Sequence, residues 1–196
     1  FLTYRYLRKH EKEGAKFLFN LYIPKGEDGT TEIDVLMISP KGLFVFECKN
    51  YSGWIFGSEH QPKWYQTLPQ GRGKSHKEAF YNPIMQNKTH IKHLKAMLGE
   101  TIPMHSIITF SDRCTLKNVQ VKSTDIHVIN RNEVVGVVAT IASRQPDILT
   151  VFEGCGVSSS AVSKMLPSYT VSAFALPMKK RTEFLSSYQN YLDSRQ

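Results

Sequence analysis

Apolar and polar positions in this chain follow two periods, and the switches between them mark its elements. Over residues 4–21, Tyr6, Leu7, Phe17, Leu18 and Leu21 fall among Lys and Glu, which predicts a helix, although Gly14 weakens it. Pro24 to Thr30 reads as a loop with turn residues Gly26 and Gly29. Two β-rich runs follow, Thr31 to Ile38 and Leu43 to Lys49, separated by Ser39-Pro40-Lys41-Gly42. Pro at the second place and Gly at the fourth is a β-turn signature. Asn50 to Gly53 is a second turn. Trp54 to Phe56 and Lys63 to Leu68 are short strands around a loop from Gly57 to Pro62. Residues 69–80 read as a polar linker containing Gly71-Arg72-Gly73-Lys74.

A helix is then expected, with Asn82 as N-cap, Pro83 in its first turn and Gly99 at its end. Ile84, Ile91, Leu94 and Leu98 form its apolar stripe. His105 to Phe110 reads as a buried strand, Ile126 to Ile129 as another, and Asn132 to Ser143 as a helix. Beyond lie a Gly/Ser-rich stretch from Gly154 to Ser160 and a final helix from Lys179 to Leu192. This order predicts an α/β sandwich around a mixed sheet. The expected division is a domain over residues 1–145 and a C-terminal extension, 146–196, packed on it.

The first two long strands carry the chemistry. A turn centred on Pro40-Lys41 sets Ile38 opposite Leu43, Leu36 opposite Val45, Asp34 opposite Glu47 and Glu32 opposite Lys49. Alternation then gives one face that is apolar near the turn and charged at the open end. The other face is apolar throughout: Ile33, Val35, Met37, Phe44, Phe46 and Cys48. Like charges directly opposite each other destabilise a strand pair, so Asp34 facing Glu47 needs a shared proton or a shared cation. Hard oxygen donors on rigid strands suit Mg²⁺ or Mn²⁺. Lys49 lies on the same face, where it could orient water or neutralise charge growing on a phosphate. Glu32 could hold the Lys49 ammonium or act as a third ligand. The bland alternative is a pair of surface ion pairs.

Composition narrows the partners. The chain has 196 residues and a net charge of +8, which favours polyanions, nucleic acid first among them. Hydrophobic residues make up 41%, enough for a sizeable core. No run of about 18 apolar residues exists, so no membrane span is expected in these residues. Cys48, Cys114 and Cys155 are odd in number and far apart. They make neither a disulfide framework nor a zinc ribbon, and fit a reducing, cytoplasmic setting. Residue 1 is Phe, so an upstream signal or anchor is left open. Oligomeric state is not legible.

The residues Glu32-Ile33-Asp34, Pro40-Lys41-Gly42-Leu43-Phe44-Val45 and Glu47-Cys48-Lys49-Asn50-Tyr51-Ser52-Gly53-Trp54-Ile55, with Trp64 and Asn82-Pro83-Ile84-Met85-Gln86-Asn87, resemble a known pattern. An Asp followed by Glu-x-Lys on the next strand resembles the PD-(D/E)XK nucleases, the fold of many restriction endonucleases. The whole set is similar to one branch of them, the nuclease-related domain, over roughly residues 10–135. The resemblance implies a restriction-endonuclease-like core: a mixed sheet with a catalytic hairpin flanked by helices. It implies a Mg²⁺- or Mn²⁺-dependent nuclease acting on DNA, with Asp34 and Glu47 as metal ligands and Lys49 completing a catalytic trio. It further implies Gln86 as an active-site residue, against the alternative of a solvated helix position. The family usually carries a Glu after a Gly in the first helix. Here Ala15 follows Gly14, and Glu11 or Glu13 are the candidate substitutes.

Other features divide between function and packing. His90 and His93 lack partners of a zinc pattern and read as a solvent face. Arg72, Lys74, His76 and Lys77 form a basic loop that could clamp a phosphate backbone, or simply be solvated. Trp54 and Trp64 could stack bases, but packing against a sheet edge is the ordinary role.

Overall fold

A computed structural model describes residues 2–25 and 29–147. The Gly/Ser-rich stretch, Cys155 and the expected final helix lie outside the described residues, as does all of the expected extension beyond Asp147.

The expected helix over 4–21 is instead two elements. Helix α1 spans Leu2–Leu7 and continues as a 3-10 turn, Arg8–Glu13. Gly14 ends it at φ 88°, a left-handed cap that a Cβ would disfavour. Strand β1, Lys16–Pro24, follows at once. Phe17, Phe19, Leu21 and Ile23 have period two, and this run of aromatic and aliphatic side chains fits a pleated surface better than a helix. Gly14 is therefore a boundary, not a defect inside a helix.

Strand β2 spans Thr30–Ser39 and β3 spans Gly42–Lys49. β4 (Gly53–Ser58), β5 (Lys63–Gly71) and β6 (Lys74–Tyr81) precede helix α2, Pro83–Leu98. β7 (Met104–Phe110), β8 (Cys114–Gln120), β9 (Ile126–Asn130) and helix α3 (Val134–Arg144) complete the described chain. One mixed sheet has the order β1-β2-β3-β7-β9 and the other β6-β5-β4-β8. The protein is α/β, with two mixed sheets and three α-helices among the described residues.

The supposed linker at 69–80 is mostly strand. Gly71, Arg72 and Gly73 all have positive φ, which makes the tight turn joining β5 to β6. β6 is an edge strand with every residue but Phe80 exposed, so it carries no apolar alternation to read. Strand β8 is also an edge strand, and its inward residues Cys114, Leu116 and Val119 are interrupted by polar ones, with two residues between Leu116 and Val119, so no strict alternation marks it.

The larger sheet separates two cores. On one face Val35, Met37, Phe44, Phe46 and Ile107 pack with Leu7, Val134 and Val138 of the flanking helices. On the other, Leu36, Leu43 and Val45 pack with Leu94 of α2. A third core under the smaller sheet holds Ile55, Trp64, Phe110 and Cys114. Trp64 lies against Gly57, where a Cβ would come within 2.3 Å of the indole. Only Gly there admits the ring.

Alternation breaks once, at the middle of β1 and β2. These strands pair from Lys16 opposite Ile38 to Pro24 opposite Thr30, except at Asn20 and Asp34. Asn20 has φ 48°. Phe19 and Val35 belong to the first core, whereas Leu21 and Ile33 belong to the second. The faces exchange across this kink, so side chains before Asp34 do not follow the expected pattern.

Candidate active site

The hairpin register is as expected near its turn, with Ser39 opposite Gly42, Ile38 opposite Leu43, Leu36 opposite Val45 and Val35 opposite Phe46. The ladder then stops. The Asp34 carboxylate accepts the Cys48 N–H at 2.7 Å, satisfying a backbone donor that the parted strand no longer reaches. Asp34 thus stays beside the Glu47-Cys48-Lys49 run, held by its side chain and not by a ladder pair.

Glu32 departs from expectation. The kink turns it away from Lys49, and it accepts a 2.6 Å hydrogen bond from Tyr22 Oη, its ladder partner on β1. Thr31 takes the α2 side instead, through its bond to His90.

Glu47 is 2% exposed, and both carboxylate oxygens have partners. Lys49 Nζ lies 2.7 Å from Oε1, and His90 Nε2 lies 3.2 Å from Oε2. Lys49 Nζ also donates to Gln86 Oε1 at 3.1 Å. His90 Nδ1 meets Thr31 Oγ1 at 2.8 Å. A carboxylate only accepts, so His90 carries a hydrogen on Nε2, while its Nδ1 shares a hydrogen bond with the Thr31 hydroxyl.

Helix α2 delivers Gln86 and His90, one turn apart on one face. Its first turn is fixed by Asn82, whose Oδ1 caps the Ile84 N–H at 2.8 Å and whose Nδ2 binds the Ser58, Glu59 and Gln61 carbonyls. The helix is pinned to the sheet by buried Asn87, whose Nδ2 donates to the Val45 carbonyl and to Ser106 Oγ, each at 2.9 Å.

The electrostatics centre on Asp34. Burial first, then the neighbouring Glu47 charge, push its carboxyl up to about 6, against the Cys48 N–H and Lys49. Burial and the neighbouring carboxylate both disfavour the Asp34 charge, so the position favours added positive charge. Asp34 and Glu47 are hard oxygen donors, the kind that Mg²⁺ or Mn²⁺ accepts in ones or twos from a protein while keeping waters. Among the described residues, no group of three or more His, Cys, Asp and Glu is placed to hold a metal.

Asp34, Glu47, Lys49 and Gln86 therefore come together; Glu32 stands beside them, its charge adding to the rise at Asp34 while Tyr22 holds its carboxylate, and Glu11 and Glu13 have partners elsewhere. Glu11 Oε1 accepts from Tyr4 Oη, and Glu13 pairs with His10. Ala15 is buried in the first core, and its neighbour Lys16 pairs with Ile38, four residues and roughly 13 Å of strand from Asp34. Position 15 follows the cap of the helical segment, so it is not a helix site for a third acid. Arg72, Lys74 and Lys77 are exposed on the β5–β6 hairpin, not on a loop.

Three residues escaped the sequence reading: His90, Thr31 and Asn87. His90 is not on a solvent face, being 3% exposed. Its position four after Gln86 was the available signal.

Comparison with known proteins identifies the family. A model of the nuclease-related domain family matches residues 1–111, more than half of the chain. An uncharacterised protein of Bacillus anthracis is 36% identical over 132 residues, covering 67% of this chain and 60% of that protein. This chain thus spans less than two thirds of that relative's length. The crystal structure of AF1548, a protein of unknown function, aligns over 99% of this chain and 100% of that one, with 11% identity and a TM-score of 0.31. That likeness is too slight to bear on the fold. By the match over its first 111 residues, the chain belongs to the nuclease-related domain family.

Proposed function

We propose that this protein is a metal-dependent nuclease that hydrolyses phosphodiester bonds, with DNA as the favoured substrate. The observation that carries the reading is the convergence of Asp34, Glu47, Lys49 and Gln86 from two strands and one helix on a site short of positive charge. The donor chemistry fits Mg²⁺ or Mn²⁺, with Asp34 and Glu47 as the residues that would hold it. When bound, such an ion supplies Lewis-acid polarisation of a phosphate oxygen. Glu47 is held at Oε2 by His90 and at Oε1 by Lys49, which fixes the carboxylate's orientation. Lys49 places an ammonium where charge grows on a phosphate or on its leaving oxygen. Gln86 accepts from Lys49, and its amide N–H group is free of that bond and available to donate to a phosphate oxygen or an attacking water. The surplus of basic residues draws a polyanion to the surface.

Incubation of a clean preparation with plasmid and linear DNA, with Mg²⁺ or Mn²⁺ present, tests this. Cleavage is expected, and Glu47→Ala is expected to abolish it. Absence of cleavage with either ion, or an equally active Glu47→Ala variant, sinks the proposal.

A second reading is a catalytically silent nucleic-acid-binding module. It is favoured by the engagement of both Glu47 oxygens with Lys49 and His90. Salt-dependent DNA binding with no heat of Mg²⁺ or Mn²⁺ binding by calorimetry would select it over the first.

A further inference from the structure

Among the described residues, the smaller sheet has one face packed and one face bare. Its ladder sets Trp54 opposite Thr67 and Thr67 opposite Lys77, Phe56 opposite Tyr65, and Lys63 opposite Tyr81. Paired residues share a face, and alternate residues return to it. The opposite set, Ile55, Trp64 and Phe80, packs in the third core. The first set is therefore the outward face. Trp54 is 42% exposed there and Tyr81 55%, although large aromatic side chains at strand positions usually bury. Lysines interleave with them: Lys77 Nζ stands 4.1 Å from the Tyr65 ring centre, and Lys117 Nζ 6.0 Å from that of Trp54. Glu78, the one carboxylate on these four strands, pairs with Gln66 and belongs to the inward register. The outward face thus offers rings and ammonium groups with no carboxylate to repel a polyanion.

Chemistry narrows the occupant. Duplex DNA presents phosphates and groove edges but hides its base faces, so it rewards lysines and leaves Trp54 and Tyr81 unused. A single strand offers both its phosphates and its base faces, and base–aromatic stacking is tolerant of sequence. We infer that the outward face of the smaller sheet, through Trp54, Tyr65 and Tyr81 with Lys63, Lys77 and Lys117, is a platform for single-stranded nucleic acid. This rests on the nuclease-related reading for its biological sense, but binding on the platform is independent of cleavage.

The test is fluorescence anisotropy of the whole chain with a short labelled oligo(dT) in EDTA, beside the matching duplex. The single strand is expected to bind more tightly than the duplex, with affinity falling as salt rises. Trp54→Ala with Tyr81→Ala is expected to weaken oligo(dT) binding by roughly tenfold or more, from the usual worth of a stacked base. Trp54→Phe, which keeps a ring, is expected to retain most of the affinity. Trp54 is exposed and Trp64 buried, so oligo(dT) should quench the exposed component of the tryptophan emission. Unchanged binding by the double variant, or tighter binding of duplex than of single strand by the parent, overturns the platform. Glu47→Ala separates the two readings: it is expected to bind oligo(dT) like the parent while failing to cut. Normal cutting by Glu47→Ala defeats the catalytic assignment and leaves the platform standing. Normal cutting by a platform double variant that also binds normally does the reverse.

Discussion

His90 presents Nε2 to Glu47 Oε2 at 3.2 Å, and both side chains are almost wholly buried. The imidazole is fixed at its other nitrogen by Thr31, so the carboxylate has one orientation relative to Lys49. A buried ligand held in this way depends on its supporting contact. His90→Ala is expected to lower cleavage roughly 10–100-fold, the usual cost of losing such a supporting partner. His90→Gln, whose amide can still donate to Glu47, is expected to recover part of it. The check is cleavage rate against Mg²⁺ concentration. A positioning role shifts the ion dependence, and a merely structural one does not.

Lys49 joins two elements, binding Glu47 on its own strand and Gln86 on α2. Lys49→Met removes the ammonium but keeps much of the stem, so fold and duplex binding should survive while turnover falls, by roughly 10²–10³-fold if it stabilises growing charge. Gln86→Ala should cost less, because Lys49 retains Glu47. Single-turnover rates at saturating DNA, compared with circular dichroism of each variant, separate the chemical loss from misfolding. A Lys49→Met variant that turns over normally would remove Lys49 from the mechanism.

The hairpin was legible because a Pro-Lys-Gly turn sets register and an apolar core on each face enforces it, as Leu36 opposite Val45 shows. The register at the open end was not legible, because the chain there is shaped by an event on another strand. Asn20 adopts a left-handed conformation on β1, and that kink sends Glu32 to Tyr22 and Thr31 to His90. Helix α2 was clear from its cap and stripe, and Gln86 lies in its first turn within reach of Lys49. His90 was misread because a polar residue on a helix usually meets water, and only tertiary contact with Glu47 buries it. The edge strands β6 and β8 bury only a few side chains, with no strict apolar alternation, so local sequence could not separate them from loops.

Asp34 gives the metal-free protein a defined pH response. Its carboxyl is raised to about 6 from an ordinary 3.8, chiefly by burial and then by Glu47. The folded state therefore holds a proton that the unfolded chain has lost, so stability from this group is full below about 4 and falls as pH rises through about 6. Asp34→Asn keeps an oxygen for the Cys48 N–H and removes the charge. It is expected to stabilise the protein in EDTA at pH 7 by on the order of 1–2 kcal/mol, and to flatten the slope between pH 4 and 6. Urea titrations of parent and variant across that window provide the measurement. Equal slopes would show that Asp34 ionises freely.

Asn82 ties the site helix to the smaller sheet. Its side chain is fully buried, with Oδ1 capping Ile84 and Nδ2 shared among the carbonyls of Ser58, Glu59 and Gln61. Asn82→Ala loses the cap and strands buried carbonyls, for an expected cost of about 2–4 kcal/mol. Asn82→Asp keeps an oxygen for the cap but cannot donate, and it brings a charge against three carbonyls. It should therefore destabilise at least as much as alanine at neutral pH and recover as acid protonates it. Thermal melts of the three proteins at pH 7 and pH 4 decide the matter. If the Asp variant melts with the parent at pH 7, helix capping alone accounts for Asn82, and the carbonyl contacts contribute nothing to holding Gln86 and His90 in place.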